Sequence, residues 1–363
     1  MRILVLSTVP YTANGIATVI KNLYANKTFA AEDITFVFPG ECDGEMVAEL
    51  SAFGYDVITG ASRFSNPIRY VSFLVKLMKE KKIELVHVHG SSAMCLPEMW
   101  AAFCAKVPVR IAHCHSNKNK YAFLHKVFKP TVNKLATAAY ACSSAAGEFL
   151  FGKRPFTVIN NAFDVARYEF DAEERQRQRA ALGIADTTVV IGHVGVFNTP
   201  KNQIFLVEAF EAYRRKNPDS ALLLIGDGPL KEYVEQSADK MNIGECVHML
   251  GSRDDVYKLL NAMDCFVFPS IHEGFGIAPV EAQANGLSVI SACDNIPKDI
   301  RINAAFRFIS LSEGKDAWAD AISKMQMQRD PCGASNVINA GFDISATVDK
   351  LHTEYAKLLD QGN

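Results

Sequence analysis

Residues 264–281 read Asp-Cys-Phe-Val-Phe-Pro-Ser-Ile-His-Glu-Gly-Phe-Gly-Ile-Ala-Pro-Val-Glu, which predicts a buried strand, a turn, a glycine-containing loop and the start of a helix. The apolar run 265–268 is typical of a strand that is covered on both faces. Pro279 suits the first helical position, because the N–H that proline lacks has no partner there, and Gly286 is well placed to end the helix. This order of elements predicts a unit of a parallel α/β fold.

Two carboxylates, Glu273 and Glu281, stand eight positions apart on either side of the glycine-containing loop. The pattern places Glu273 on the loop and Glu281 in the first helical turn, so that they flank free backbone N–H groups at a helix N-terminus. Such N–H groups attract phosphate, whereas carboxylates accept hydrogen bonds from hydroxyls. Together these features indicate a site for a nucleotide sugar.

The rest of the chain alternates short apolar runs with helical patterns. The runs that predict buried strands are 2–7, 34–38, 85–89, 109–113, 189–194, 221–225, 265–268 and 287–291. This alternation predicts parallel sheets with helices on both sides.

The two halves of the chain open alike. Strand 2–7 leads through Asn14-Gly15 into a helix with an apolar stripe, and strand 188–194 leads through a loop into a second such helix. We therefore expect an α/β fold of two Rossmann-like domains that face each other across a cleft. The expected boundaries are 1–165 for the first domain and 166–343 for the second, with a last helix at about 344–363 packing on either one.

Composition narrows the class of protein. The 363 residues are 21% charged with a net charge of −2, which is typical of a soluble globular protein and argues against a nucleic-acid partner. Nine cysteines stand singly, with no Cys-x-x-Cys, and no apolar run is long enough to span a membrane. These features predict a cytoplasmic protein with reduced thiols.

Several site types are excluded by missing motifs. No complete Gly-x-Gly-x-x-Gly follows a strand, which argues against a nicotinamide dehydrogenase. The sequence has no Asp-x-Asp, and no carboxylate–histidine cluster has the spacing of metal ligands. We therefore expect neither a metal nor a bound cofactor.

Lys201 and the pair His113 and His115 follow predicted strands, at the edge where open α/β sheets bind ligands. A lysine there neutralises a diphosphate as a point charge, and a histidine bonds a sugar hydroxyl or stabilises developing charge. We favour His115, which is nearer the loop, and expect its partner to point into the packing of the sheet. The alternative is a solvated lysine and structural histidines.

The segment from Met99 to Gly147 holds seven Lys or Arg residues and no Asp or Glu. Aromatic and aliphatic residues are interleaved with them, a combination that suits peripheral contact with an anionic membrane or a lipid-linked acceptor. The alternative is an ordinary solvated helix. The predicted patch consists of Lys118, Lys120, Phe123, Lys126, Phe128 and Lys129.

The motifs together resemble glycosyltransferase family four, whose members are retaining enzymes of the GT-B fold. The resemblance rests on residues 222–229, Leu250-Gly251, Asp264, Pro269-Ser270 and the acids Glu273 and Glu281. It extends over nearly the whole chain through Gly15, His115, residues 158–161, Lys201 and the final helix. The nearest likeness is to bacterial capsular and exopolysaccharide transferases.

The resemblance implies a role for each matching residue. Glu281 would accept hydrogen bonds from the ribose, Glu273 would face the hydroxyls of the donor sugar, and Lys201 would bind the diphosphate. His115 would line the reacting centre, and the final helix would cross back to the first domain. The remaining donor contacts would come from backbone at Gly15, Arg253, Gly274, Phe275, Gly276 and Ile277.

One position departs from the family pattern. Val196 stands where an arginine is usual, which removes a cation expected on the diphosphate; Arg253 or a lysine of the first domain is a candidate replacement. A hydrogen bond to a charged group is worth about 1.5–3 kcal/mol, so the loss is appreciable.

The resemblance and the residues together predict a metal-independent retaining hexosyltransferase. It would move a sugar from a nucleoside diphosphate, more readily UDP than GDP, to a hydroxyl of a glycan or lipid-linked acceptor in polysaccharide or capsule biosynthesis. Two alternatives stay open: a catalytically weak GT-B subunit that binds a partner transferase, and an epimerase that acts on the nucleotide sugar itself.

Overall fold

The computed structural model describes residues 1–12, 14–118 and 120–362. It divides into two compact units, each with its own sheet. Unit 1 comprises Met1–Phe163 together with Asp343–Asn363, and unit 2 comprises Asp164–Phe342.

Unit 1 is built on a seven-stranded parallel sheet in the order β3-β2-β1-β4-β5-β6-β7. Its strands are β1 Arg2–Ser7, β2 Asp33–Pro39, β3 Asp56–Ala61, β4 Leu85–Gly90, β5 Val109–Cys114, β6 Ala138–Ala141 and β7 Thr157–Val158. Its first helices are α1 Gly15–Tyr24, α2 Gly44–Ala52, α3 Pro67–Glu80, α4 Leu96–Cys104, α5 Ala122–Leu135 and α6 Ser144–Phe151.

Unit 2 contains a six-stranded parallel sheet in the order β10-β9-β8-β11-β12-β13. Its strands are β8 Val189–Val194, β9 Ser220–Ile225, β10 Val247–Met249, β11 Cys265–Phe268, β12 Ser288–Ala292 and β13 Phe306–Ile309. Its helices are α7 Ala172–Leu182, α8 Gln203–Arg214, α9 Lys231–Lys240, α10 Val256–Ala262, α11 Ala278–Ala284, α12 Gly314–Ser323 and α13 Gly333–Asn339. The prediction of an α/β fold with two Rossmann-like parallel sheets is confirmed.

The central strands form because their side chains are apolar on both faces. Every residue of β4, β9 and β11 is buried, which matches helices packed on both sides of a parallel sheet. Helices such as α1 contribute an apolar face. In α1 that face is Ile16, Val19, Ile20 and Leu23, and the Asn14 side chain caps the first turn by accepting from the N–H groups of residues 16 and 17.

The last helix, α14 Ile344–Gly362, belongs to unit 1. A parallel bridge joins Phe163 to Asp343 where the chain returns, and the Ile344 N–H donates to the carbonyl of Phe163 at 3.0 Å. From there α14 buries Val348, Leu351 and Tyr355 in the core of unit 1 beside the helix and strand residues of its N-terminal half. None of the helices in the described ranges has the length and apolar content to cross a bilayer.

The turn after β9 depends on glycine. Gly226 adopts φ 136°, and a Cβ there would lie 2.2 Å from the carbonyl oxygen of Gly195. A side chain at this position is therefore excluded both by backbone conformation and by contact. The close approach brings the loop after β8 against the loop after β9, at the carboxyl edge of the unit 2 sheet.

Candidate active site

An ion pair joins the loops that follow β8 and β11. Lys201 ends the 3₁₀ turn Thr199–Lys201, whose N-terminus is capped by the Asn198 side chain. The Lys201 ammonium donates to Glu273 Oε1 at 2.7 Å, and both side chains are largely buried. The carboxyl edge of the unit 2 sheet therefore holds a paired cation and anion.

The Lys201 side chain lies over the loop backbone and an aromatic ring. Its Nζ is 5.0 Å from the ring centroid of Phe268, within the range of a cation–π contact. A Cβ at Gly195 would lie only 3.1 Å from Lys201 Cδ, so the missing side chain at Gly195 leaves room for the lysine stem. These contacts hold the ammonium at one place above the sheet edge.

Glu281 lies in the first turn of α11, as the spacing predicts. The Tyr168 hydroxyl donates to Glu281 Oε1 at 3.0 Å. Burial raises the pKa of Glu281 to about 7, against the lowering effects of the Tyr168 hydrogen bond and the Lys201 charge. A carboxyl with that pKa changes charge near neutral pH, where bound hydroxyls or cations can shift its ionisation.

The start of α11 leaves backbone donors available. No side chain caps this helix, and the N–H groups of Gly276, Ile277 and Ala278 donate to no acceptor within the described part of the chain. Gly276, at φ 88°, approaches Glu273 closely enough that a Cβ would lie 3.4 Å from Glu273 Cγ. The acid and the donors are thus neighbours. One detail differs from expectation: α11 begins at Ala278, so Pro279 is its second residue rather than its first.

Phe275 contributes backbone alone to this edge. Its side chain is buried and packs against Phe342, with ring centroids 5.4 Å apart. The neighbouring Gly274 has no side chain to offer. The loop 273–277 therefore presents one carboxylate and a row of peptide groups, the combination that the sequence suggested.

Val196 is exposed to solvent, whereas the side chain of Arg253 is held by a neighbouring carboxylate. Val196 is 45% exposed, and its carbonyl accepts from Gln203 Nε2 at 3.0 Å. Arg253 is engaged by Asp255 through two hydrogen bonds of 2.7 Å. Arg253 is therefore a poor replacement for the missing arginine unless that pair opens, whereas position 196 has room for a longer side chain.

In unit 1, four histidines form an array on one face of β4 and β5 and the residue that follows β5. His89 lies opposite His113 in the sheet register. His87 Nε2 and His113 Nδ1 are 3.0 Å apart, and His89 Nδ1 and His115 Nε2 are 2.9 Å apart. The two hydrogen-bonded pairs are stacked on each other, at 4.1 Å between the rings of His87 and His89.

His113 is buried in the packing of the sheet, and His115 lies on the same face of the strand. Residues two apart on a strand share a face, and the two rings are stacked with centroids 4.1 Å apart. Burial lowers the pKa of His115 to about 3 and that of His113 well below its ordinary value, so both imidazoles are neutral at pH 7. His113 Nε2 and His115 Nδ1 are buried without a partner in the described structure.

Three histidines of this array are close enough to share a metal ion, because ring nitrogens of His87, His89 and His113 lie within 4.8 Å of one another. The set is assembled across two strands, and the sequence shows only that His87 and His89 have the same spacing as His113 and His115. Both nitrogens of His87 are hydrogen-bonded, Nδ1 to the Tyr355 hydroxyl and Nε2 to His113. Imidazole lone pairs lie in the ring plane, so stacked rings direct them side by side. The geometry therefore fits a hydrogen-bonded array better than a metal centre.

Gly15 opens α1 at the same edge of unit 1. An added Cβ there would meet nothing within 4 Å, so the space over the start of the helix is open. The position can therefore accept a group that approaches the backbone, as the resemblance implies.

The described residues of the basic segment, Lys118 and 120–129, precede α5 and form its first half. Phe123 is 78% exposed, and Lys118, Lys120 and Lys126 are exposed around it. The remaining two members of the patch are less available. Phe128 is half-buried, and the Lys129 ammonium donates to the carbonyl of Phe149 at 2.6 Å.

Tyr168 is the residue of this edge that sequence reasoning missed. It ends the 3₁₀ turn Val165–Tyr168 and reaches Glu281 across 113 positions of the chain. A tyrosine soon after the Asn160-Asn161 motif offers no signal of that contact by itself.

Comparison with known proteins identifies the kind of chain to which this geometry belongs. Residues 174–332 match the family model described as glycosyl transferases group 1. The putative glycosyltransferase EpsF of Bacillus subtilis is 30% identical over 329 residues, covering 85% of this chain and 84% of that protein. The capsular polysaccharide biosynthesis glycosyltransferase CapH of Staphylococcus aureus is 25% identical, covering 86% of this chain and 87% of that protein.

A solved structure extends the likeness to the whole fold. The crystal structure of Anabaena Alr3699/HepE in complex with UDP superposes with a TM-score of 0.80, covering 98% of this chain and 100% of that chain. Its sequence is 20% identical, so the likeness concerns the fold.

Proposed function

This chain belongs to the group 1 glycosyltransferases and has their GT-B fold, and from that premise we propose that it transfers a sugar from a nucleoside-diphosphate sugar to a hydroxyl acceptor. The donor is a UDP-sugar in preference to a GDP-sugar. The acceptor is a growing glycan or a lipid-linked sugar of polysaccharide or capsule biosynthesis. The similarity to CapH and to a fold that binds UDP supports this choice.

One observation carries the donor side of the proposal. Lys201, Glu273 and Glu281 surround the free N–H groups at the start of α11. A diphosphate takes charge from Lys201 and hydrogen bonds from the peptide groups. The two carboxylates then accept from hydroxyls, Glu281 from the ribose and Glu273 from the sugar. The backbone near Arg253 meets the base.

The chemistry follows from this arrangement. The bond between the anomeric carbon and the diphosphate oxygen breaks, and the electron pair stays with the nucleoside diphosphate, where Lys201 and the peptide donors stabilise it. The acceptor oxygen attacks from the same face, and its proton passes to the departing phosphate. Configuration is retained, and no metal is required, since the lysine and the helix N-terminus supply the positive charge.

Glu273 is less suited to act as a covalent nucleophile. Its Oε1 is held by the Lys201 ammonium at 2.7 Å. An oxygen so engaged is a weaker nucleophile than a free carboxylate. The same hydrogen bond orients the other oxygen, which suits a fixed acceptor for sugar hydroxyls.

We assign binding of the acceptor to unit 1. His115 and Gly15 lie at the carboxyl edge of its sheet, where His115 lines the reacting centre. The exposed face around Phe123, Lys118, Lys120 and Lys126 contacts an anionic membrane surface, and Phe128 and Lys129 support it from within. This surface brings a cytoplasmic enzyme to a lipid-linked acceptor.

Donor choice is tested by thermal unfolding of the purified protein with UDP-, GDP- and ADP-sugars. Stabilisation grows with ligand concentration over Kd, so a true donor raises Tm progressively. The donor that binds is then incubated with a polyprenyl-diphosphate-linked sugar in vesicles, and the anomeric configuration of the product is read by NMR. Retention is expected.

Three outcomes would contradict the proposal. If none of the nucleotide sugars raises the Tm, the proposed donor site is wrong. Donor binding without transfer or hydrolysis, together with tight binding to a second transferase, would instead support the weak-subunit alternative that Val196 suggests. Product formed without any acceptor would support the epimerase.

Membrane contact has its own test. Cosedimentation with vesicles of anionic phospholipid is expected, and vesicles of zwitterionic phospholipid alone should retain much less protein. Lys126→Glu with Phe123→Ser should abolish the difference. Lys76→Glu, an exposed change on α3, is the matched control and should leave binding unchanged; equal loss in both variants would contradict the assigned surface.

A further inference from the structure

Tyr168 contacts Glu281 in α11 and Asn285, the residue that caps the C-terminus of this helix, at two points four positions apart. Its hydroxyl donates to Glu281 Oε1 at 3.0 Å, and its carbonyl accepts from Asn285 Nδ2 at 2.8 Å. Residues four apart share a face of a helix. The side chain and the backbone of Tyr168 are therefore both fixed to the helix that begins beside the proposed donor site.

Further hydrogen bonds hold Asn285, the second of these contacts, in place. Asn285 Nδ2 also donates to Asn261 Oδ1 at 3.1 Å, and its carbonyl accepts from Arg329 Nη1 at 3.0 Å. The Tyr168 ring meets that of Tyr257 edge-on, with centroids 6.3 Å apart. Tyr168 is thus an anchored group with one orientation, unlike an exposed side chain that a ligand would simply displace.

We propose that Tyr168 is a positioning residue of the donor site, whose hydroxyl fixes one oxygen of Glu281 so that the other oxygen faces the donor ribose. The inference rests on the proposed function of Glu281. A carboxylate that turns freely about its last torsion presents either oxygen in many directions. Anchoring Oε1 leaves Oε2 as the acceptor for the ribose hydroxyls and removes that rotational freedom before the donor binds.

The same hydrogen bond favours the ionised carboxylate. Around Glu281, the helix α13 and the strand β12 carry no ionisable side chain, and β11 contributes only Cys265, whose pKa burial raises. The groups that face Glu281 with charge or a proton are Tyr168 and Lys201. Arg167 and Asp164 lie on the segment of Tyr168 and act on its hydroxyl.

Removing the Tyr168 hydroxyl changes the pH range over which Glu281 ionises. The carboxyl of Glu281 already has a pKa raised to about 7 by burial, and the Tyr168 hydrogen bond acts to lower it. Without that bond the pKa rises further, so more of the protein carries a protonated Glu281 at pH 7. Ribose binding needs the ionised form, so affinity is present above the pKa and is lost as the pH falls through it.

The experiment measures UDP-glucose binding by calorimetry between pH 6 and pH 9, using wild type and Tyr168→Phe. This probe keeps a constant diphosphate charge in that range, because both phosphates are esterified. We expect Tyr168→Phe to bind about tenfold more weakly at pH 7, the order of a hydrogen bond to a charged group. The midpoint of the pH profile should move up by about one unit.

Two further variants identify the titrating group. Glu281→Gln keeps a hydrogen-bonding side chain but cannot ionise, so its binding should be weak and independent of pH across this midpoint. Tyr233→Phe removes an exposed hydroxyl of α9 in the same unit and should leave affinity and midpoint unchanged. Tm values of all variants confirm that they are folded.

A ligand-free measurement separates the two levels of the argument. The Glu281 carboxyl is titrated by carbon NMR in protein labelled at glutamate, with Glu281→Gln to assign the signal. A Glu281 pKa that is equal in wild type and Tyr168→Phe would overturn the inference. Unchanged UDP-glucose affinity in Tyr168→Phe, alongside a loss in Glu281→Gln, would overturn it too, while wild type binding no nucleotide sugar would overturn the proposed function and the ribose contact together.

Discussion

The carboxyl edges of the two sheets differ in charge although the strands beneath them are alike. In unit 2 the edge carries an ammonium, two carboxylates and free peptide donors. In unit 1 the edge carries four stacked imidazoles that burial keeps neutral. Two sheets of similar topology therefore carry a charged edge in one unit and a neutral edge in the other, because the residues of the loops and strand ends, rather than the fold, determine the chemistry.

The physical reason lies in pairing. Lys201 and Glu273 are largely buried as an ion pair, with 2.7 Å between the ammonium and the carboxylate oxygen, so each charge is compensated by the other. The four histidines of unit 1 are hydrogen-bonded to one another rather than to a carboxylate. Burial therefore favours the neutral imidazole over the charged one. We infer that unit 2 handles the charged half of the donor and that unit 1 suits uncharged hydroxyls.

The largest expected effect comes from breaking the ion pair on its carboxylate side. Glu273→Ala leaves Lys201 without its partner and removes an acceptor for the sugar, and losing one partner of a buried pair costs about 3–5 kcal/mol. We expect kcat to fall by about a hundredfold or more with a smaller change in donor KM. Steady-state kinetics with the donor found by thermal shift measures both. A loss confined to KM would show that Glu273 acts on ground-state binding alone.

Glu281→Ala should have the next largest effect and should act on the other constant. Removing hydrogen bonds from hydroxyls to a carboxylate costs about 1.5–3 kcal/mol, so donor KM should rise about tenfold to a hundredfold. Glu235→Ala, an exposed change on α9, is the control. Donor affinity that is the same in both variants would count against a ribose contact.

The neutral edge of unit 1 predicts a pH dependence of stability. A histidine whose folded pKa is lowered contributes stability that is present above its ordinary value near 6.5 and is lost as the pH falls, because the unfolded chain takes up the proton. Each such histidine contributes about 1.4 kcal/mol per pH unit below that value. Glu281, with a raised pKa, acts in the opposite sense but is one group against four in the array. The protein should therefore unfold at a lower temperature at pH 5.5 than at pH 7.5.

Replacing one member of the array checks the origin of that dependence. His113→Asn should reduce the difference in Tm between the two pH values, since one group fewer takes up a proton on unfolding. His352→Asn, a partly exposed histidine for which the described structure gives a carboxylate partner in Glu32, is the control. An identical pH dependence in wild type and His113→Asn would show that the array is not responsible.

The smallest effect is expected at position 196. Val196 is 45% exposed, so Val196→Arg should fold normally and add a cation near the carboxyl edge of β8. Donor affinity should improve by a few-fold at most, about 1 kcal/mol, because exposed charges are screened by water. Thermal unfolding and donor titration measure the two quantities. Loss of folding would show that the side chain is needed for packing.

How far the sequence predicts the fold depends on burial. Strands 2–7 and 265–268 were predicted with the bounds that the structure has, because they are continuous apolar runs. The strand at 287–291 is displaced by one residue, to Ser288–Ala292. The strands β3, β6, β7, β10 and β13 escaped prediction. Four of them are short or part-exposed edge strands, and β6 is buried but is only four residues long and mostly alanine, so no clear apolar run marks any of the five.

The residues of the candidate site also differ in how far the sequence predicts their contacts. Glu273, the free N–H groups and Glu281 lie within nine residues, so their proximity follows from local structure. The pairing of Lys201 with Glu273 spans 72 positions and was suggested only by the common sheet edge. The histidine array and Tyr168 depend on sheet register and on a turn that folds back onto α11, which single-chain patterns do not encode.

Calorimetric titration of UDP compares the two edges most directly. Lys201→Met should weaken UDP binding by about a hundredfold, since the diphosphate loses its cation and Glu273 is left unpaired beside it. His115→Asn, at the neutral edge, should keep UDP affinity within about twofold, or about 0.4 kcal/mol, of wild type. Equal losses in the two variants, or full affinity in Lys201→Met, would contradict the assignment of the diphosphate to unit 2.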